Sequence, residues 1–151
     1  LDTYWAANLE LIGATPALDL YDQHWPIRSY QAQLPAAKFV LDDGGLSASV
    51  TECMIANGCV VSSAEIRHSV LFNNVRVMAG ALVESSVILP GATIGPRCRI
   101  RKAVIESGCI IPADTIIGED PGADQQHYEI SPQGVVLVTP EMLGQELDHI
   151  R

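Results

Sequence analysis

Two stretches near the middle of the chain decide its fold: SVILPGATI at residues 86–94 and AVIESGCII at residues 103–111. Comparable stretches begin at residues 52 and 69, so the pattern recurs every 17 residues. Self-similarity at a fixed spacing is typical of solenoid proteins, in which each repeat forms one coil. Aliphatic residues also return about every six positions, and three such units approximate one coil of a triangular, hexapeptide parallel β-helix.

The large aliphatic residues define three rows that we expect to face the core of this β-helix. The rows are Val60, Ile66 and Phe72; Leu82, Ile88, Ile94 and Ile100; and Val104, Ile110 and Ile116. Each residue of the third row is followed directly by an isoleucine: Ile105, Ile111 and Ile117. Turn-forming pairs fall at equivalent places in the coils: Asn57-Gly58, Asn73-Asn74, Pro90-Gly91 and Ser107-Gly108. Glycine and asparagine tolerate the positive φ that a tight corner demands. The sequence therefore predicts an all-β fold, a parallel β-helix of about four coils.

The segment that precedes the repeats does not show their 17-residue spacing. Tyr4–Ile12 carries apolar residues mainly on one helical face, which predicts a helix with Gly13 as its C-cap. Prolines at positions 16, 26 and 35 then predict an irregular linker. We accordingly divide the chain into a helix and linker over residues 1–45 and a β-helix domain over residues 46–151.

The last part of that domain is expected to cap the coils. An acidic loop at residues 119–124 follows the final repeat, and a strand is predicted at residues 135–138. Thr139 has the character of an N-cap, with Pro140 at the first helical position and Glu141 in the first turn. These features predict a final helix that covers one end or side of the β-helix, whose end coils would otherwise expose backbone edges.

Charge and composition argue against several classes of function. The chain has 18 acidic and 9 basic residues, whereas a nucleic-acid-binding protein needs a basic face. No apolar run approaches the roughly 18 residues of a membrane span, and the first residues lack the features of a signal peptide. Cys53, Cys59, Cys98 and Cys109 form no C-x-x-C pair, which argues against a zinc site and fits free thiols in a reducing compartment. We therefore expect a cytoplasmic protein that binds neither nucleic acid nor membranes.

An ordered series of short motifs resembles the bacterial ADP-glucose pyrophosphorylases, also called glucose-1-phosphate adenylyltransferases. Residues 4–8 (YWAAN) are similar to the family's Y-W-x-A-N segment, and residues 19–30 (DLYDQHWPIRSY) to its D-x-Y-D-x-x-W-P-I-x-T-Y linker. Residues 34–40 (LPAAKFV) resemble its P-P-A-K-F stretch, and residues 116–120 (IIGED) and 134–139 (GVVLVT) resemble its tail. The resemblance covers essentially the whole chain, and the ordered series is more specific than any single motif.

The resemblance implies a single-stranded left-handed parallel β-helix that serves as the C-terminal regulatory and oligomerisation domain of such an enzyme. The family's reaction converts ATP and glucose 1-phosphate into ADP-glucose and pyrophosphate for glycogen synthesis. ATP and Mg²⁺ belong to a catalytic domain with a glycine-rich phosphate loop, and this sequence has no such loop. We therefore expect no catalytic residue, metal site or cofactor in this chain. The expected partners are its own catalytic domain, identical subunits in a homotetramer, and small anionic metabolites as effectors.

The densest basic cluster of this acidic chain consists of Arg97, Arg99, Arg101 and Lys102. Because successive side chains of a strand alternate between its faces, the three arginines are expected to project together. Guanidinium groups can fork onto phosphate oxygens, which makes the cluster a candidate site for an anionic effector. A solvated outer face or a salt-bridged subunit contact explains the same pattern. Many family members carry basic residues where this chain has Ser107 and Pro140, so the resemblance does not extend to activation by a sugar bisphosphate through those two positions.

Two other functions fit a hexapeptide β-helix. A CoA-dependent acyltransferase would use His68 as its base, although a histidine at a corner or on the surface is the more common arrangement. A purely structural oligomerisation module would bind no ligand. The histidines are too widely spaced to suggest a three-histidine metal site: His24, His68, His127 and His149.

Overall fold

The computed structural model describes residues 1–26, 30–41 and 48–145, and the chain folds as a parallel β-solenoid with three faces. In spatial order, the first face contains β1 (Lys38–Val40), β4 (Val60–Ser62), β7 (Arg76–Val77), β10 (Thr93–Ile94) and β13 (Ile110–Ile111). The second contains β14 (Ile116–Ile117), β11 (Arg99–Arg101), β8 (Leu82–Glu84), β5 (Glu65–Arg67) and β2 (Ser49–Thr51). The third contains β15 (Glu129–Ile130), β16 (Val136–Val138), β12 (Ala103–Ile105), β9 (Val87–Ile88), β6 (Val70–Leu71) and β3 (Met54–Ile55). The predicted parallel β-helix of about four coils is confirmed.

The register of the three sheets determines which residues fill the core. Strands of successive coils pair in parallel, so equivalent side chains stack directly above one another. The core columns, in which each residue is at most 1% exposed, are Val77, Ile94 and Ile111; Val83, Ile100 and Ile117; and Leu71, Ile88 and Ile105. The prediction that Ile66, Ile88, Ile94 and Ile100 face inward is confirmed, and so is the inward position of Ile105, Ile111 and Ile117.

Other members of the predicted rows point outward, and for these the prediction is wrong. Ile110 and Ile116 are 58% and 53% exposed. Val60, Phe72 and Leu82 are half-buried on the outer surface, and Val104 is buried outside the core, in a cluster with the N-terminal helix. The reason is that inward positions are spaced unevenly. From Leu71 onward they follow one another at six, six and five residues, and the preceding steps from Val61 to Ile66 and from Ile66 to Leu71 are five residues each. A strict six-residue row therefore slips by one residue per coil, and such a slip moves a side chain to the opposite face.

The predicted corners are confirmed, because equivalent residues of successive coils adopt positive φ. Gly58, Asn74, Gly91 and Gly108 have φ values of 80°, 60°, 77° and 75°. A second column of corners has positive φ at residues other than glycine. It consists of Glu52, His68, Ser85 and Lys102. Backbone hydrogen bonds between coils hold these corners: the N–H of Lys102 donates to the carbonyl oxygen of Glu84 at 3.1 Å.

The predicted N-terminal helix is present as α1 (Asp2–Glu10), which lies against the outside of the third face. Leu9 is buried there in a cluster with Val70 and Val87. The prediction of Gly13 as the C-cap is wrong: Leu11 caps the helix in a right-handed conformation, and the Gly13 N–H donates back to the carbonyl oxygen of Glu10 at 3.1 Å. The linker then passes to β1, which already pairs with β4, and the predicted boundary between residues 45 and 46 lies outside the described residues.

Three elements close the far end of the solenoid. The predicted acidic loop contains a short helix, α2 (Pro121–Asp124), and β15 then pairs antiparallel with β16. The predicted final helix is only a one-turn 3₁₀ helix (Glu141–Leu143) within the described residues, with Thr139 Oγ1 accepting from the Met142 N–H at 3.4 Å. Beyond it, the Gln145 side-chain amide accepts a hydrogen bond from the Ile110 N–H and donates one to the Ile110 carbonyl oxygen. This amide therefore covers the edge of β13.

Within the described part of the chain, no helix combines the length and the apolar character that a membrane crossing requires. All four cysteines are free, as expected from the sequence. Burial raises the pKa of the Cys109 thiol to about 12, with the Glu106 carboxylate as a second cause. Such a thiol is uncharged at neutral pH and packs as a small apolar side chain.

Candidate functional site

Two of the four candidate effector residues converge on one carboxylate. Arg99 and Arg101 project from the same outer side of β11, and Arg99 Nε donates to Glu119 Oε1 at 2.8 Å. Arg101 Nε is buried and lies 3.1 Å from that same oxygen, without the geometry of a hydrogen bond. Arg101 Nη1 also lies 3.4 Å from Glu84 Oε2. A single carboxylate oxygen therefore occupies the space between two guanidinium groups.

The backbone around Glu119 is fixed by its neighbours. Gly118 has a φ of 87°, and a Cβ at this position would lie 1.9 Å from the carbonyl oxygen of Arg101. The Gly118 N–H donates to Asp124 Oδ2 at 2.9 Å, and Asp124 is only 4% exposed. Burial raises the pKa of Asp124, with the charge of Asp120 adding to the effect. The loop that places Glu119 beside the two arginines is therefore held by Gly118, whose position requires glycine, and by the buried carboxylate of Asp124.

The other two candidate residues lie at coil corners and have partners of their own. Arg97, with a φ of 58°, forks onto both oxygens of Asp114 at 2.8 and 3.1 Å. This hydrogen bond lowers the pKa of Asp114 and raises the pKa of Arg97. Lys102 Nζ donates to the carbonyl oxygen of Gln133 at 2.7 Å and lies 5.3 Å from the ring centroid of Trp5. The alternation rule behind the expectation that Arg97 projects together with Arg99 and Arg101 applies to strands and does not extend to Arg97, which is a corner residue outside β11.

One outer column of the second face alternates in charge. The register places Arg67 beside Glu84, and Glu84 beside Arg101. Arg67 also forms an ion pair with Glu65 in its own strand. Exposed pairs of this kind contribute roughly 0–1 kcal/mol each. Within the chain, the three arginines of the cluster therefore already have acidic partners.

The carboxylate partners were missed by the sequence reasoning, although the repeat contains a signal for most of them. Asp114 lies 17 residues after Arg97, and Glu84 lies 17 residues before Arg101. Residues one repeat apart stack on neighbouring coils, so opposite charges at that spacing predict ion pairs. Glu119 has no such spacing to its arginines and is placed by the turn at Gly118.

His68 occupies a corner, with a φ of 44°, and its side chain is about half exposed. Its Nδ1 lies 3.9 Å from Glu52 Oε2 on the preceding coil, which is too long for a hydrogen bond. Across residues 1–26, 30–41 and 48–145, no group of three or more His, Cys, Asp or Glu side chains is arranged to hold a metal ion.

A pocket of about 320 Å³ lies between the linker and the first coil. Leu11 to Ala14 and Asp19 to Tyr21 form its linker side, and Cys53 and Met54 form its floor. Burial raises the pKa of the Cys53 thiol, although neighbouring backbone hydrogen bonds lower it in part. Most of the lining residues are apolar, but polar atoms form the larger part of the accessible pocket wall, and Tyr21, one of the lining residues, is 77% exposed.

The repeated coils, their glycine and asparagine corners and the aliphatic core are those of a hexapeptide-repeat protein. The model of the family "GlmU-like, C-terminal hexapeptide" matches residues 35–138, and the chain belongs to this family.

Among curated proteins, the chain is similar to glucose-1-phosphate adenylyltransferases. It is 54% identical to that of Methylococcus capsulatus over 97% of the chain, and 50% identical to that of Nitrosococcus oceani over its whole length. Glucose-1-phosphate adenylyltransferase 2 of Alkalilimnicola ehrlichii is 51% identical over 99% of the chain. The matched region is 35–36% of the length of these relatives, so the chain spans about a third of each. The resemblance seen in the motifs is thereby confirmed.

Proposed function

We propose that this chain is the regulatory and oligomerisation domain of a glucose-1-phosphate adenylyltransferase. The observation that carries the proposal is identity of about half the residues over essentially the whole chain, to a third of the length of such enzymes. In the longer protein, the remaining two thirds would bind ATP, Mg²⁺ and glucose 1-phosphate and form ADP-glucose and pyrophosphate. This chain would contribute subunit contacts in a homotetramer in the cytoplasm.

Arg99 and Arg101 are the proposed contact for a small anionic effector. The two guanidinium groups already hold one carboxylate oxygen between them, which is the arrangement that a phosphate or carboxylate oxygen of a metabolite would need. Such an effector has to compete with Glu119, while Arg97 and Lys102 would add positive charge from the corners at either end of the strand. To regulate the enzyme, it must bind the active arrangement of the protein more tightly than the inactive one.

Activation curves of the longer enzyme test this role. The Arg99→Ala/Arg101→Ala double variant should need roughly ten-fold more effector for half-maximal response, because loss of a charge-assisted hydrogen bond costs about 1.5–3 kcal/mol. Activity without effector should change little. Arg76→Ala is the matched control, since Arg76 is exposed on the first face, away from Glu119. Unchanged activation by the double variant, with an unchanged tetramer in sedimentation, would contradict the assignment of these two arginines.

A further inference from the structure

The linker carries an unusual concentration of exposed aromatic side chains. Tyr21, Trp25 and Tyr30 are 77%, 75% and 94% exposed. Fully burying an aromatic side chain removes roughly 150–250 Å² from water, so these three rings expose on the order of 400–600 Å². One partner of a standard interface contributes about 800 Å², so covering these three side chains would supply half or more of that area.

The backbone does not explain why these rings are outside. Residues 14–26 and 30–37 form neither helix nor strand, and their local structure includes two short turns. In these turns Asp19 accepts from the Tyr21 N–H and Asp22 accepts from the His24 N–H, each at 2.9 Å. By contrast, Trp5 in α1 is packed, and its indole N–H donates to the carbonyl oxygen of Ser85 at 2.7 Å. Of the two tryptophans, Trp5 therefore packs against the solenoid, whereas Trp25 is exposed to solvent.

One of the three exposed aromatic residues also lines a concave feature of the linker. Tyr21 and Leu20 line the 320 Å³ pocket together with Met54 of the first coil. Tryptophan and tyrosine are enriched among the residues that contribute most of the binding energy of protein interfaces. Tryptophan and tyrosine lose little conformational entropy when they are covered, because each has only two side-chain torsions.

We infer that Tyr21, Trp25 and Tyr30, here called the aromatic linker surface, dock against the catalytic portion of the longer enzyme. This inference rests on the proposed function, since that portion is the two thirds of the relatives' length that the chain does not match. The occupant must present an apolar surface able to cover three rings. The linker would then set the position of the catalytic portion relative to the solenoid.

Hydroxyl-radical footprinting with mass spectrometry compares the two forms of the protein directly. In the 151-residue chain, Trp25 should be oxidised rapidly and Trp5 slowly. In the full-length enzyme, oxidation of Trp25 should fall roughly five-fold or more, as expected when an exposed ring enters the buried core of an interface. Equal oxidation of Trp25 in the two forms would overturn the inference. Protection that is lost when the full-length enzyme is diluted to monomers would assign the surface to a second copy of the chain and overturn it equally.

A pair of variants checks that the rings stabilise the contact. In the full-length enzyme, Trp25→Ser should increase the rate of proteolytic cleavage within the linker several-fold, whereas His24→Ser should not. His24 is the matched control because it is the exposed neighbour of Trp25. Cleavage that is unchanged by Trp25→Ser would overturn the inference. Adenylyltransferase activity of the same preparation separates the two proposals: activity with an unprotected Trp25 contradicts only the docking surface, and absence of activity contradicts the proposed function.

Discussion

Ile111→Ala should destabilise the protein much more than Ile110→Ala, although the two residues are neighbours on β13. Ile111 is 1% exposed in the core column with Ile94, whereas Ile110 is 58% exposed on the outer side. Truncating a buried isoleucine to alanine costs about 2–5 kcal/mol, because the lost contacts leave a cavity. Truncating Ile110 removes less than half of a side chain's worth of burial, or about 1 kcal/mol.

Thermal and urea unfolding followed by circular dichroism would measure both variants. At roughly 2–4 °C per kcal/mol for a protein of this size, Ile111→Ala should lower the Tm by about 4–20 °C and Ile110→Ala by about 4 °C or less. The hydrogen bonds between the Gln145 amide and the backbone of Ile110 should survive in both, because they do not involve the side chain of Ile110. Equal losses, or a larger loss from Ile110→Ala, would refute the inward register of the coils.

Three further substitutions test the core, the turn at Glu119 and the buried acid. Ile94→Asp should prevent folding, since an unpaired buried carboxylate costs several kcal/mol against a total stability of roughly 5–15 kcal/mol, and a melting temperature near that of the wild type would contradict this. Gly118→Ala should lower the Tm more than Gly144→Ala, because both have positive φ but nothing lies within 4 Å of a Cβ at Gly144; equal shifts would remove the steric argument. Asp124→Asn should raise stability near neutral pH and lose this advantage in acid. The pKa of Asp124 is raised by burial, so the native state favours its protonated form at low pH and loses that contribution as pH rises through the native pKa. A series of melts against pH would contradict this if the advantage were greatest in acid.

The period of the repeat was readable in the sequence because it arises from the core itself. Every coil must place an aliphatic side chain inward on each face, and the corners need residues that accept positive φ. The same rule did not determine which of two adjacent aliphatic residues faces inward. Ile110 and Ile111 are chemically identical, and only the five-residue spacing on one face of the coil distinguishes them.

The acidic partners in the candidate site were less predictable than the core, because an ion pair between coils depends on how close the two side chains lie in the folded chain. The cluster around Arg99 and Arg101 was visible as basic residues in an acidic chain, but its partners come from other coils and from the loop at Glu119. The repeat spacing could have located Glu84 and Asp114. The position of Glu119 depends on the positive φ of Gly118, and glycine is common enough in loops that the sequence alone did not reveal that role.

Pyrophosphate release from ATP and glucose 1-phosphate, with Mg²⁺ present, tests the central claim most directly when the 151-residue chain and the full-length protein that contains it are assayed side by side. We expect ADP-glucose and pyrophosphate from the full-length protein and none from the 151-residue chain. Turnover by the isolated chain, or a full-length protein that forms no ADP-glucose, would contradict its assignment as the regulatory and oligomerisation domain of a glucose-1-phosphate adenylyltransferase.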